Sequence, residues 1–251
     1  AETHKDVNFR YVVESEQGLS AARNKGIKEA KGDIIIYVDD DALVDSNYIS
    51  SYADHLANNP NTMAAGGPIE PLYETEEPKW MSPYTKALLT AWMNYGTKVC
   101  EYPKGRYPGG GNAAYRKVVF DKVGLFNTEL GRKGTALLAS EEKDIFDKMH
   151  ALGMQVKYLP TPVLHHIIPQ AKLEKPYFER LTRQIGISER ARTLAISKSK
   201  YISRLGSELI KWCGTLVLLS LYTLQGNPYK GWKLVLFRKN VTAGLLNLTK
   251  Q

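Results

Sequence analysis

The run Ile34-Ile35-Ile36-Tyr37-Val38 ends in three consecutive carboxylates, Asp39-Asp40-Asp41, and a helical pattern follows soon after. A β-branched run of this length, bounded by Gly32 and followed by charge, reads as a buried strand of an α/β sheet. In open α/β sheets the ligand crevice lies beyond the carboxyl ends of the strands, so the aspartates face the expected site. A small set of hard oxygen ligands suits Mg²⁺ or Mn²⁺ shared with the phosphates of a substrate. The competing reading is a solvated acidic turn, because aspartate is also a turn former.

The surrounding chain alternates. Residues 9–13 read as an interior strand, 19–30 as a helix, 34–38 as a strand, 45–57 as a helix and 63–69 as extended chain. That is the order of an α/β domain with a mostly parallel sheet flanked by helices. The first helix places Leu19, Ala22, Gly26, Ile27 and Ala30 on one stripe, with Arg23 and Lys28 off it. The second takes Ser46 as its N-cap and Tyr48, Ile49, Tyr52 and Leu56 as its apolar face. Because the chain runs almost directly into the strand-like 9–13, an upstream segment is expected to lie outside this sequence.

Residues 68–108 are rich in proline and aromatic side chains, among them Tyr73, Trp80, Trp92, Tyr95, Tyr102 and Tyr107. Long excursions in compact domains are usually functional or disordered. The rings suit an acceptor groove that stacks on sugars, or the packing of Trp92 and Tyr95 on a short helix. From residue 171 helical patterns take over, which divides the chain into 1–170 and 171–251. The stretch 212–224 is almost wholly apolar but too short to span a bilayer comfortably. Arg204, Lys211, Lys230, Lys233, Arg238 and Lys239 flank it, with Trp232 and Phe237, a combination that suits the surface of an anionic membrane or a helix packed on the protein body.

A net charge of +8 over 251 residues points to an anionic partner. Nucleic acid is disfavoured, because the cations form no concentrated run and no nucleic-acid module is recognisable. Cys100 and Cys213 are far apart and suggest neither a disulfide framework nor a zinc site, which fits a reducing compartment. With no signal peptide to read, the expected location is cytoplasmic, peripheral on the inner face of the cell membrane.

Three further segments carry chemistry. Gly18-Leu19-Ser20-Ala21-Ala22-Arg23-Asn24 is a glycine-led helix entry with a cation in its second turn, suited to phosphate or to a simple surface helix. Gly109-Gly110-Gly111-Asn112 lets the backbone approach a ligand closely, or forms only a turn. Ser140-Glu141-Glu142 places a cap and two acids at a helix start, which structure alone explains, although a carboxylate there could accept a proton from a hydroxyl.

In this order the segments resemble the family 2 glycosyltransferases, inverting enzymes of the GT-A fold that use nucleotide-sugar donors. The likeness covers about residues 7–170 and rests on Gly18 to Gly26, Asp39 with Asp41, Gly110 to Arg116, and Glu141-Glu142. It implies Arg23, Asp39, Asp40, Gly110, Gly111 and Asn112 as donor contacts. It implies Asp41 and Asp39 as ligands of Mg²⁺ or Mn²⁺, with His165 of the tract 163–169 as a further ligand. Glu142 becomes the base and Glu141 a group that orients acceptor or base. The donor would be a UDP-, GDP- or dTDP-sugar and the acceptor a glycan or lipid-linked hydroxyl, in cell-surface polysaccharide synthesis. This chain departs from the family by carrying Glu142 where Asp is usual, which leaves open which of the pair is the base. It also lacks the family's opening strand, helix and strand, which hold much of the nucleobase pocket. Rival readings are a non-catalytic membrane-associated module and a Mg-dependent phosphoryl- or nucleotidyl-transfer enzyme.

Overall fold

The computed structural model describes residues 9–103, 105–130 and 141–248. Helix α1 (Leu19–Glu29) leads into strand β1 (Ile34–Val38), then β2 (Ala42–Val44), α2 (Tyr48–Asn58), β3 (Thr62–Gly66) and β4 (Ile69–Tyr73). The proline-rich excursion contains α3 (Pro83–Thr90) and the short β5 (Cys100–Glu101). Next come β6 (Asn112–Arg116), α4 (Val118–Val123), α5 (Glu141–Ala151), β7 (Gln155–Tyr158) and β8 (Leu164–Ile168). Four helices follow, α6 (Gln170–Leu173), α7 (Lys175–Ile196), α8 (Lys198–Leu224) and α9 (Pro228–Leu245).

The α/β class and the helical C-terminal region are as expected; the strand directions are mixed. The larger sheet runs β1-β6-β3-β7-β5 and the smaller β2-β8-β4. Only β3 with β7 and β4 with β8 pair in parallel among the described strands. Strand β6 lies antiparallel between β1 and β3. The chain reaches it through the long excursion and not through a single-helix crossover, so nothing imposes a parallel direction.

Alternation along the central strands separates two cores. Ala64, Ala113 and Tyr115 face the layer of Ile27, Phe120, Phe126 and Phe146. Ala65 and Ala114 face Tyr48, Tyr52 and Leu56 of α2. Such two-residue periodicity is what lets one strand serve two helix layers. A third cluster, Met81, Leu89, Ile168, Leu173 and Phe178, joins the α/β part to the C-terminal helices.

Several local expectations change. Residues 9–13 form no strand; Phe9 is 72% and Tyr11 84% exposed, and Arg10 hydrogen-bonds to Glu29 of α1. Apolar character makes a segment fit for a sheet, but only a ladder partner makes it a strand. The buried face of α1 is Ser20, Ala21, Arg23, Asn24 and Ile27, so Arg23 lies inside. Asn47, not Ser46, flanks the start of α2, and Ile49 is exposed. The stretch 63–69 is two strands in different sheets, separated by Gly67-Pro68. Trp92 and Tyr95 lie outside α3; Tyr95, Tyr102 and Tyr158 meet edge to face, and Tyr107 stacks on Phe146, so much of the aromatic excursion is core.

Asn112 holds these parts together. It is fully buried, and its amide nitrogen donates to the carbonyls of Pro68 at 2.7 Å and Pro162 at 3.1 Å. Its Oδ1 accepts from Tyr48 at 2.8 Å and Tyr52 at 2.5 Å. Both of the amide's donors and both lone pairs are therefore used within the protein. This corrects its expected role as a donor contact: the side chain supports the glycine loop and has no capacity left for a ligand. An Asn112→Ala substitution removes four buried hydrogen bonds, to two hydroxyls and two carbonyls, and urea unfolding is expected to show a loss of about 2–4 kcal/mol.

Candidate active site

Beyond the end of β1 lies a cleft of about 210 Å³, and most of the residues singled out in the sequence line it. Its polar lining is Arg23, Asp39, Asp41, Glu141, Glu142, His166 and Lys172, with Gly109, Gly110 and Gly111 forming one side. Leu88, Leu89 and Ala91 from the excursion, with Tyr177 and Leu181 from α7, supply apolar walls. The part of the excursion that reaches the cleft is thus aliphatic, not aromatic.

The glycines leave room for the carboxylates. A Cβ at Gly110 would stand 1.7 Å from Glu142 Oε1, and one at Gly111 would stand 2.3 Å from Asp39 Oδ2. Without side chains the loop can lie across these acids where they stand; a Cβ would make them shift.

Arg23 sits beneath the loop, 5% exposed, with one guanidinium nitrogen 3.2 Å from Glu141 Oε1 and 3.0 Å from Glu142 Oε1. The rings of Tyr37 and Phe126 lie 5.8 Å and 5.5 Å from its guanidinium carbon. Burial works against its charge, but Glu142 and Glu141 outweigh that and raise its pKa further. The guanidinium expected to contact the donor lines the cleft and is paired there with both acids.

The two glutamates differ in environment. Glu141 is 1% exposed, and its Oε2 has no hydrogen-bond partner among the described residues. Glu142 keeps 19% of its side chain accessible. Burial raises the pKa of Glu142; Arg23 lowers it, Glu141 and Asp39 raise it, and the balance is upward. Such a carboxylate, reachable from the cleft with its proton affinity increased, has the character of a general base. The expected cap Ser140 and the segment 131–134 lie outside the described residues.

Alternation decides among the aspartates and histidines. Asp39 and Asp41 line the cleft, whereas Asp40 between them does not. His165 also points elsewhere, with Nε2 3.1 Å from Asp45 Oδ1. The histidine in the cleft is His166, Nε2 3.2 Å from Asp41 Oδ2. In β8, His166 shares the parity of the buried Leu164 and Ile168, a signal present in the sequence.

His166 Nδ1 lies 2.9 Å from the Thr90 carbonyl and donates to it, which orients the ring and turns Nε2 toward Asp41. Lys172 Nζ sits 3.0 Å from Asp41 Oδ2 and 3.3 Å from His166 Nε2. Burial pushes the Asp41 pKa up, but the hydrogen bond and charge of Lys172, with His166 close by, outweigh that and lower it from the ordinary aspartate value. A cationic group therefore already sits between a carboxylate and an imidazole, the donor pair that a divalent ion accepts. No group of three or more His, Cys, Asp or Glu able to hold a metal occurs among the described residues. Further ligands would come from substrate oxygens and water, as is usual for ions shared with phosphates. Nothing in the sequence marked Lys172.

Residues 1–124 match the model of a family described as glycosyl transferase family 2. A glucosyl-dolichyl phosphate glucuronosyltransferase of Haloferax volcanii is 26% identical over 159 residues, covering 63% of this chain and 50% of that protein. Succinoglycan biosynthesis protein ExoM of Rhizobium meliloti is 26% identical over 164 residues, 64% of this chain and 48% of that protein. The chain spans about half the length of the curated relatives it matches. Among solved structures, mannosyltransferase PcManGT from Pyrobaculum calidifontis, in complex with GDP-Man and Mn²⁺, aligns with a TM-score of 0.52 at 17% identity, over 98% of this chain and 71% of that one. That likeness is one of fold, the GT-A arrangement.

An Arg23→Met variant leaves two buried acids without their counter-charge, and at neutral pH it is expected to lose about 3–5 kcal/mol of stability. Without the cation the folded-state pKa of Glu142, already raised by burial, rises further above its unfolded value. The variant should therefore be most stable at low pH and weaken as pH climbs through the raised value, which urea unfolding across a pH series would read.

Proposed function

We propose that this chain, whose residues 1–124 match the model of glycosyl transferase family 2, moves one sugar from a nucleotide-diphosphate donor to a hydroxyl of a glycan or lipid-linked acceptor, with inversion at the anomeric carbon. The observation that carries the reading is the pairing, in one cleft, of the Arg23-held Glu142 with Asp39, Asp41 and His166. One group accepts a proton and the others manage the charge of a diphosphate. The relatives named for glucuronosyl transfer to a dolichyl-linked glucose and for succinoglycan biosynthesis support an acceptor of this class and a role in surface polysaccharide or glycolipid synthesis. Attachment at the inner face of the cell membrane belongs to the same reading.

Glu142 removes the proton of the acceptor hydroxyl as its oxygen bonds to the anomeric carbon. The bond from that carbon to the donor's phosphate oxygen breaks on the opposite face, and the nucleoside diphosphate departs. Glu141, more deeply buried, keeps Arg23 in place and so positions Glu142. Asp39 lies against the glycine loop, where it can orient the donor. A divalent ion held by Asp41 and His166 would neutralise charge growing on the diphosphate, and an imidazole beside the carboxylate favours Mn²⁺ over the oxygen-preferring Mg²⁺. Lys172 supplies positive charge at the same place and must swing aside for such an ion.

Calorimetric titration with UDP, GDP and dTDP, with and without Mn²⁺, tests the donor half; absence of binding to all three would count against the reading. A His166→Ala variant is expected to weaken Mn²⁺-dependent nucleotide binding by at least roughly tenfold, while His165→Ala leaves it unchanged. For the base, Glu142→Gln should reduce kcat by roughly 10²–10⁴-fold with nucleotide affinity retained. In the unsubstituted protein, kcat/KM should fall as pH drops through the raised pKa of Glu142, giving an acid limb above the ordinary glutamate value. A limb at or below that value would assign the base elsewhere.

A further inference from the structure

Charge is divided unevenly along this chain. Residues 171–251 hold 15 of the 34 lysines and arginines but only four of the 26 aspartates and glutamates, a net of +11, so residues 1–170 carry −3. No single run concentrates these cations. Packing does, because it places acids inside. Glu208, 3% exposed, is held by Arg204 at 2.7 Å and Arg238 at 3.0 Å. Glu189 is bonded to Arg204 at 3.1 Å and Arg192 at 2.8 Å. Lys198, Lys200, Lys211 and Lys239 remain exposed.

The outward side of α8 is apolar. Ile202, Leu209 and Leu216 recur at seven-residue spacing, and Ile210, Val217 and Leu224 repeat that spacing beside them, with exposures from 52% to 85%. Seven residues return to nearly the same side of a helix, so these six form one continuous stripe. The stripe ends at the corner between α8 and α9, where Tyr229 is 69% and Trp232 62% exposed. There an open cleft joins these two rings to Trp80, Lys79 and Lys233, with Lys233 Nζ 4.0 Å from the centre of the Trp80 ring.

Aliphatic side chains continued by tryptophan, tyrosine and lysine match a surface lying where hydrocarbon meets charged headgroups. None of the described helices is long and apolar enough to cross a membrane. We propose that the outer face of α8 and the α8–α9 corner dock on an anionic lipid bilayer, with the catalytic cleft beside it. A second copy of this chain fits less well, since two regions of net +11 would be brought together. A nucleic acid would use the cations but leave the apolar stripe exposed. The placement also suits the site, because Leu88, Tyr177 and Leu181 of the catalytic cleft belong to the same packed cluster as Trp80 and Leu236. The inference gives the membrane attachment of the proposed function a defined surface, yet it stands on charge and exposure, independently of catalysis.

Flotation of the full chain with phosphatidylcholine vesicles, with and without phosphatidylglycerol, tests it. The chain should float with the anionic vesicles and at least roughly tenfold less with the neutral ones, and added salt should weaken the difference. A Leu209→Ser, Val217→Ser, Leu224→Ser variant should lose roughly tenfold or more of the binding to anionic vesicles. Its thermal unfolding midpoint should be unchanged, since all three side chains are exposed; a lowered midpoint would make the stripe part of the fold and overturn the proposal. Three other results would overturn it: no flotation of the unsubstituted chain, equal flotation of the variant, or a vesicle-free dimer that the same substitutions convert to monomer. Nucleotide titration is not needed for this comparison, so failure here leaves the transferase reading untouched.

Discussion

The active-site half of the structure depends on the buried amide of Asn112. The chain leaves the larger sheet for the smaller one three times, after β1, β3 and β7, and Asn112 hydrogen-bonds to a carbonyl at the last two of these departures, Pro68 and Pro162. Its oxygen is fixed by two tyrosines of α2. A buried amide is costly unless every donor and acceptor is matched, so this one tolerates a single arrangement of the two crossings. That arrangement carries Gly109–Gly111 over Asp39 and Glu142 and brings β8, with His166, alongside β2 beside Asp41.

Around that frame the site sets four carboxylates against two cations of different kinds. Arg23 is buried against the acidic pair, where a permanently charged, aromatic-backed guanidinium is suited to hold two acids at once. Lys172 stands at the more open side, on a flexible stem that can leave when another cation arrives. The same division recurs in the C-terminal helices, where arginines join helices internally through Glu189 and Glu208. Lysines are left to the exterior. The molecule thereby places an acidic candidate cleft next to a strongly basic, partly apolar surface.

Much of the site was legible because strand ends and glycine loops are local features. The run 34–38 specified a strand, and the carboxyl end of a strand in an α/β sheet is where acids gather. The acidic pair at 141–142 and the glycines at 109–111 followed from helix and turn chemistry. The errors have one origin. Arg23 reads as a cation off the apolar stripe of its helix, available to a donor, because only the distant Glu141 and Glu142 make its burial tolerable. Asn112 reads as a ligand contact, because its four partners come from α2 and two separate crossings. His165 and His166 differ only in parity, and parity has meaning once β8 has a partner and a buried side.

The sequence by itself determined the class of fold, the order of its elements and the chemical kinds of group at the site, since these follow from local periodicity, propensity and turn chemistry. Tertiary structure alone decided the mixed strand directions, which histidine faces Asp41, which arginine neutralises the glutamates, and that Lys172 reaches the cleft at all. Those outcomes depend on hydrogen-bond and ion-pair partners up to 131 residues apart. A local pattern cannot encode a partner that only folding brings near.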